Sequence, residues 1–594
     1  MGGCLSSEDR VTPFGMSAVD GGGQSKADFK GPVRQRSCTD LFFLIFMGMF
    51  IIILAILLGY CISHGNIYRI INGFDSCGNV CGMVTKNENP AYPCQGKDMT
   101  SKKLISISAA SGRPIVNPKY VHRDCVSQCD PNYIQIINRC VKNTTSQAIT
   151  NVFSKSGLGS FFQEVSEDLH SCWKEMLYLC AISFVLSLTL LFLLRYMAGF
   201  VVWFVMIGAV VTSVGGTIYL WLVYKQKNAE EKMGEITDRI TRTYFYYAII
   251  STIVTFMILL IIFVMRKRIQ LVVQLFHEAG KAISRMPLLL FQPLATFFAL
   301  FLMIGFFLYF SIWIESSGRI NKYEENLYYS KDTAMKITRW YNIFAMYWFT
   351  QFFIGCQHMI IAGSVATWFF TRDKSTLSSP ISTSYSNMVN YHLGSIALGS
   401  FLIAVIQFIR TILKFVEKQV KGQTNEVTRC IFKACQCCLY VFEKCLAFLT
   451  RNAYIEIAIY GVNFCTGGQQ AFKMLVTNVL RVAAINSVGD FILFLGKVFV
   501  VAITLLIGTF FIEKDGVQHM WVPLTLVGIF AYLVSHCFMT VYEMTIDTIF
   551  LCFCEDCEMN DGISKPYFMS KGLMEFVEHS NKVLSVGDGD TRNS

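Results

Sequence analysis

The chain has 594 residues, 53% hydrophobic and 15% charged, with a formal net charge of +10. Soluble domains carry roughly 25% charged residues, so a soluble enzyme on a single anchor is excluded and an all-α polytopic membrane protein is expected. The positive charge is spread over loops and tails with no compact basic domain, which excludes nucleic acid as a partner and reads as chemistry at a membrane surface with lipids.

Residues 1–40 read as a cytosolic tail. Gly2 with Ser6 matches the myristoylation pattern, and Cys4 is a palmitoyl acceptor beside it. The alternative is a plain disordered tail, since the sequence to Lys30 is rich in Gly and Ser. No signal peptide is expected, because the first apolar run starts too far in and is too long. That run, Leu41 to Ser63, follows Lys30, Arg34 and Arg36, which hold its leading end in the cytosol.

Residues 64–175 then form an extracellular loop. Cys77, Cys81, Cys94, Cys125, Cys129, Cys140 and Cys172 lie in it with the sequon Asn143-Thr144-Thr145. Cysteines and a sequon together predict a glycosylated module stapled by disulfides. Seven is odd, so one thiol stays unpaired or bonds elsewhere, and spacing leaves the connectivity open.

Residues 176–551 read as a helical bundle. Met176 to Leu194 returns inward, Arg195 and Tyr196 make a tight turn, and Phe200 to Tyr224 goes out. Tyr244 to Met265 comes back and stops at Arg266-Lys267-Arg268. Residues 269–285 alternate as an amphipathic helix lying on the inner surface. Leu288 to Ile314 crosses outward and Arg339 to Arg372 inward; His392 to Phe415 and Leu439 to Tyr460 form the next pair. The link Glu417 to Lys433 is basic and sits poorly outside, which leaves open that one of that pair is interfacial or re-entrant. Phe491 to Ile512 and Trp521 to Phe550 make a final hairpin, and residues 552–594 a cytosolic tail. About ten spans result, each near the length that crosses a bilayer.

The stretch Arg339 to Arg372 is the least lipid-like. One face carries Tyr341, Phe344, Trp348, Gln351, Gly355, His358 and Ala362, flanked by Trp340 and Tyr347. Lipid rewards none of the polar groups, so the stripe faces protein or water. Gly355 and Ala362 suit close helix packing; the rings and amide equally suit a path for a cation. Charges recur in the last two spans. Asp490 and Lys497 are seven apart, and Glu543 and Asp547 four apart. A structural ion pair of Lys497 with Asp490 or Glu543 is the first expectation, and a coupling or gating role the second. His358 and His536 are the groups suited to proton coupling. The cysteines at 435, 437, 438 and 445, and at 552, 554 and 557, match no zinc spacing, so no metal is expected. No nucleotide loop, nucleophile elbow or catalytic cluster is present, so neither an enzyme nor a cofactor is expected.

Four motifs stand out together. They are Arg36-Ser37-Cys38-Thr39-Asp40, the run Gly73 to Gly82 (GFDSCGNVCG), Gly280-Lys281-Ala282 with Met286-Pro287, and Arg451 to Gly461 (RNAYIEIAIYG) followed by Asn463-Phe464-Cys465. As a set they resemble the choline transporter-like proteins, solute carrier family 44. The family pattern has no acidic residue at Glu456, so no shared role carries over to it. The resemblance implies ten transmembrane helices, a glycosylated outer loop, and transport of choline and ethanolamine across the plasma membrane, with a mitochondrial membrane as a further location, supplying phospholipid synthesis by alternating access. A quaternary ammonium offers no hydrogen-bond donor and is recognised by ring faces. Tyr341, Tyr347 and Trp348 are the candidate faces, Gln351 the amide for the hydroxyl, and Tyr454 and Tyr460 the rings that close the cage. From the residues alone an ion channel or lipid scramblase competes with a carrier, and a receptor acting through the cysteine-rich loop is a third reading.

Overall fold

The computed structural model describes residues 31–84, 94–109, 121–131, 133–136, 138–142, 168–232, 238–265, 269–323, 326–420, 426–477, 479–512, 520–560 and 565–574. Gly2, Cys4 and Asn143 lie outside the described residues.

The protein is an all-α membrane bundle; nine helices among the described residues are long and apolar enough to cross a bilayer. The first, α1 (Leu41–Ser63), ends against the cysteine-rich module. That module holds a short helix, α2 (Ile67–Ile71), and four strands, β1 (Leu104–Ala109), β2 (Val121–Val126), β3 (Tyr133–Ile136) and β4 (Arg139–Lys142), in the order β2-β1-β4-β3. Three disulfides staple it: Cys77–Cys94, Cys81–Cys125 and Cys129–Cys140. Cys172 is the odd thiol. It sits apart from the module at the head of the next helix and donates to the Asp168 carbonyl at 3.0 Å.

That helix, α3 (Trp173–Lys232), is broken at Met197, where φ is −132° and ψ 40°. The break is a reversal. Leu190, seven residues before it, packs beside Gly496, and Phe204, seven after it, packs on Phe499, so both limbs meet one turn of the same later helix. The expected turn at Arg195-Tyr196 is therefore present one residue further on. After α4 (Asp238–Met265) comes α5 (Ile269–Arg285), with the bounds expected. Its apolar face does not lie in lipid: Val272, Leu275, Phe276, Ala279 and Ile283 are buried in the bundle core.

Beyond α6 (Gln292–Ser316), the hairpin β5 (Arg319–Tyr323) and β6 (Asn326–Ser330) docks the cysteine-rich module. Arg69 stacks on Tyr329 at 3.5 Å, and Leu327 donates its N–H to Ser76 at 2.8 Å. Next is α7 (Thr333–Phe370), the most buried of the nine spans. It joins two cores. One, around Trp348, is shared with α1 and α6; the other holds residues of α3, α5 and the last four long helices.

The pair left open in the sequence consists of two full-length helices. The first is α9 (Leu393–Val420), entered through α8 (Pro380–Asn387) and a π turn; the second is α10 (Glu426–Tyr460). Gln407 and Arg410 reach Glu443 at 2.9 and 2.6 Å, so the polar ends of the pair bond to each other. α10 is not among the nine apolar spans because Glu443, Lys444, Arg451 and Glu456 lie in its second half. Gly461, at φ +66°, stops it in the left-handed conformation that glycine adopts without strain. A short α11 (Phe464–Thr477) leads into α12 (Val479–Phe511) and α13 (Trp521–Met559), which pack as the expected hairpin through Gly508 against Leu524 and Gly528 against Leu505.

A strap of residues 31–40 closes the end of the bundle opposite the module. Val33 donates to the Ile459 carbonyl at 3.0 Å, and Arg36 to the Ala458 and Ile457 carbonyls at 2.6 and 3.2 Å. Burial pulls the Arg36 guanidinium down to about 10. Asp40 accepts from Ser395 at 2.6 Å and from the Phe464 N–H at 2.7 Å. Gly394 permits this contact, since a Cβ there would stand 2.4 Å from the Thr39 and Asp40 carbonyls.

Candidate functional site

The candidate rings do not share one cage. Trp348 is fully enclosed: its ring packs against Phe46, Phe50, Phe344 and Phe401 at 5.1–5.8 Å, and its indole N–H donates to the Ala397 carbonyl at 3.1 Å. Tyr341 stacks on Phe50 at 4.0 Å and donates to the Phe50 carbonyl at 3.2 Å. Tyr454 is 2% exposed, donates to the Ile396 carbonyl at 3.3 Å, and fills the space that Gly355 leaves. Tyr460 stands at the far end of α10, donating to Glu555 at 2.6 Å. Each of these hydroxyls and the indole N–H is already bonded within the fold.

A second face of α7 carries its polar groups. Tyr347, Gln351 and His358 follow one another at steps of four and seven, which sets them in one line on a helix. All three are partly exposed. At one end of the line the Tyr347 hydroxyl bonds Thr411 at 2.9 Å on α9, one turn from Gln407, which holds Glu443. At the other end His358 lies in the field of Arg451 and Glu543. Glu443 and Arg451 are eight residues apart on α10, about 12 Å along its axis. The four helices α7, α9, α10 and α13 thus share a polar column with carboxylates at two depths.

The inner station is built on Arg451. It bonds Glu543, and its other nitrogen lies 2.9 Å from Asp547. Spacing of four on α13 puts both carboxylates on one face, where a planar guanidinium spans them. Asp490 and Lys497 act on the same cluster from α12, with Asp490 exposed at its margin and Lys497 buried. The expected pairing of Lys497 with Asp490 or Glu543 is not made: among the described residues no carboxylate lies within 4.0 Å of it. Seven residues span about 10 Å of helix, too far for a direct bridge within α12, and Arg451 has taken Glu543. His536 stacks on Tyr532 at 6.0 Å and stands in the field of Lys497 and Glu543.

Two residues matter here that were not among the candidate site residues. Arg451 appeared only as part of a motif, although a cation inside a long helix was itself a signal of partners elsewhere. Glu456 is fully buried between α10 and α13, and neither carboxylate oxygen has a hydrogen-bond partner among the described residues; Glu555 and Glu558 are its charged neighbours. Its acidic neighbour Glu555, four residues before Met559, is invisible from α10's own periodicity.

The column can hold a cation. Arg451 and Lys497 stand against Glu543, Asp547 and Asp490, which leaves one formal negative charge, on the exposed margin that Asp490 forms. Half-exposed charges within spans line water rather than lipid.

A family sequence model described as plasma-membrane choline transporter matches residues 249–558. Choline transporter-like protein 1 of Mus musculus is 34% identical over 630 residues, covering 96% of this chain and 96% of the relative. The protein of the same name in Xenopus laevis is 35% identical over 623 residues, covering 94% and 95%. Choline transporter-like protein 3 of Homo sapiens is 32% identical over 611 residues, covering 93% of each.

Proposed function

The chain belongs to the choline transporter-like family, and from that premise we propose that it carries choline, and ethanolamine with it, across the plasma membrane by alternating access. The observation that supports this most is the column with its one unbalanced negative charge, because a monovalent organic cation is the ligand that neutralises it. In this reading the cysteine-rich module faces outside and the strap of residues 31–40 inside, as the cations flanking α1 require.

Choline enters along Tyr347 and Gln351. The ring of Tyr347 offers a face to the trimethylammonium, about 0.5–2 kcal/mol according to how dry the contact is. The Gln351 amide holds the hydroxyl. The cation then moves toward Glu543, Asp547 and Asp490. Tyr341, Trp348 and Tyr454, expected in the sequence to touch the substrate, stand one layer behind and keep the wall of α7 rigid. The inner exit is shut by the strap on Ile457, Ala458 and Ile459 and by the Tyr460–Glu555 bond. His358 sits where a proton would alter the charge balance of the column, which makes it the site of any proton coupling. Asn143 carries the glycan, and Gly2 with Cys4 the acyl chains, of this arrangement.

Radiolabelled choline uptake into proteoliposomes, with and without a pH gradient, tests the reading. Saturable uptake that unlabelled ethanolamine competes for is expected. Uptake no greater than in empty liposomes contradicts it, and steady conductance or transfer of fluorescent phospholipid between leaflets points to a channel or a scramblase instead.

A further inference from the structure

We propose that the face opposite the cysteine-rich module carries a binding site for an anionic phospholipid, formed where the break of α3, the helix α5, the end of α7 and residues 565–574 meet. A cavity of about 520 Å³ opens there. Arg195, Lys281, Arg285, Arg372, Lys374 and Lys571 line it, against the single carboxylate of Glu278. That carboxylate is already taken, by Lys281 at 2.9 Å and Ser570 at 2.8 Å. Lys374 is spent on the Trp368, Phe369 and Thr371 carbonyls at the end of α7. Arg195, Arg285, Arg372 and Lys571 have no carboxylate within 4.0 Å among the described residues. Arg372 also donates to the Pro566 carbonyl at 2.9 Å and lies in the field of Asp556, yet the cations still outnumber the carboxylates in this concavity, which calls for a ligand of more than one negative charge.

The second half of the site identifies the ligand as a lipid. A cavity of about 300 Å³ adjoins the first and shares Arg195 and Ser284 with it. Its other walls include Leu188, Leu191, Phe192, Ile283 and Leu290, and Phe192 is 60% exposed on the surface of the bundle that faces lipid. A basic basin continuous with an apolar groove matches a phosphate headgroup above an acyl chain. A merely basic inner surface would attract anionic lipid diffusely; a groove sharing residues with the basin holds one molecule in place. The phosphate monoester of phosphatidic acid has the chemistry and the size of probe the basin requires. Free phosphate esters share the headgroup chemistry but leave the groove empty.

Native mass spectrometry of the full-length protein released from vesicles of dioleoyl phosphatidylcholine with a tenth of dioleoyl phosphatidic acid tests this. One retained phosphatidic acid per protein is expected. Arg285→Gln with Lys571→Gln, both near the surface, should lower its retention roughly thirtyfold for two lost charges, and Arg285→Lys alone, which keeps both charges, should leave most of it. Leu191→Trp, which fills the groove with the cations intact, should also lower retention. Millimolar glycerol phosphate should not displace the lipid. Equal retention by the wild type and the double variant overturns the site. Full displacement by glycerol phosphate makes it a soluble-phosphate site instead. Retention that appears only after deletion of residues 575–594 shows that the chain's own tail is the occupant.

Discussion

The two sides of α7 are built on opposite principles. Toward α1, α6 and α9 the contacts are ring on ring. Phe50, Tyr341, Phe344, Trp348 and Phe401 pack at 4.0–5.9 Å, and their polar tips end on backbone carbonyls. Behind its other side, among α10, α12 and α13 themselves, the contacts are charge on charge, and they do not balance: Arg451 holds two carboxylates, Lys497 holds none within 4.0 Å, and Glu456 has no hydrogen-bond partner among the described residues. A satisfied aromatic wall has one arrangement. An unbalanced charge cluster has several, separated by which carboxylate the cations hold, and that is the property a carrier needs where the substrate passes. On the proposed reading, aromatic content on a membrane helix does not by itself mark the side that meets a cationic substrate.

Breaking the charged side should have the largest effect. Arg451→Ala leaves Glu543 and Asp547 buried without their cation and should cost about 3–5 kcal/mol of stability, read as a lost folded fraction in thermal-shift measurements. Arg451→Lys, which keeps the charge but not the fork, should fold and lose most of its choline uptake. On the aromatic side, Trp348→Leu should cost about 2–4 kcal/mol through the cavity it leaves, while choline affinity in the surviving folded protein stays within twofold of the wild type. A clear loss of affinity would move Trp348 into the path and erase the distinction between the two sides. Gln351→Leu lies on the boundary. It should weaken choline binding by about 1 kcal/mol, the worth of one hydrogen bond, and leave tetramethylammonium, which has no hydroxyl, unaffected; a binding isotherm for each ligand decides. Glu456→Gln should be the mildest, leaving stability unchanged or raising it by up to about 1 kcal/mol. A marked loss of stability would show that Glu456 holds a cation that the amide cannot.

Much of the fold could be read from periodicity. The bounds of α5, the reversal near Arg195 and the α12–α13 hairpin follow from runs of apolar residues and the cations or prolines that end them. The three cystine pairs could not be read, because they depend on how β1 to β4 cross, and Cys172 is odd because it belongs to the head of α3 rather than to the sheet. The stripe on α7 was legible as a stripe, but not which of its residues face inward to packing. Trp348 and Gln351 are three apart, about 60° around the helix, and that angle separates an enclosed ring from a half-open amide. Arg451 was harder. Its partners lie more than ninety residues away on α13, and nothing within α10 fixes the rotation that brings them together.

In the proposed mechanism the unbalanced charge, and not the enclosed ring, holds the substrate. Choline affinity measured by calorimetry on purified, folded Asp490→Asn and Trp348→Phe proteins tests it most directly, since Asp490 is the carboxylate outside the Arg451 bridges. Asp490→Asn should weaken binding roughly tenfold, the scale of one partly screened charge at short range, and Trp348→Phe should change it less than twofold. Affinity unchanged in Asp490→Asn but lost in Trp348→Phe would contradict it.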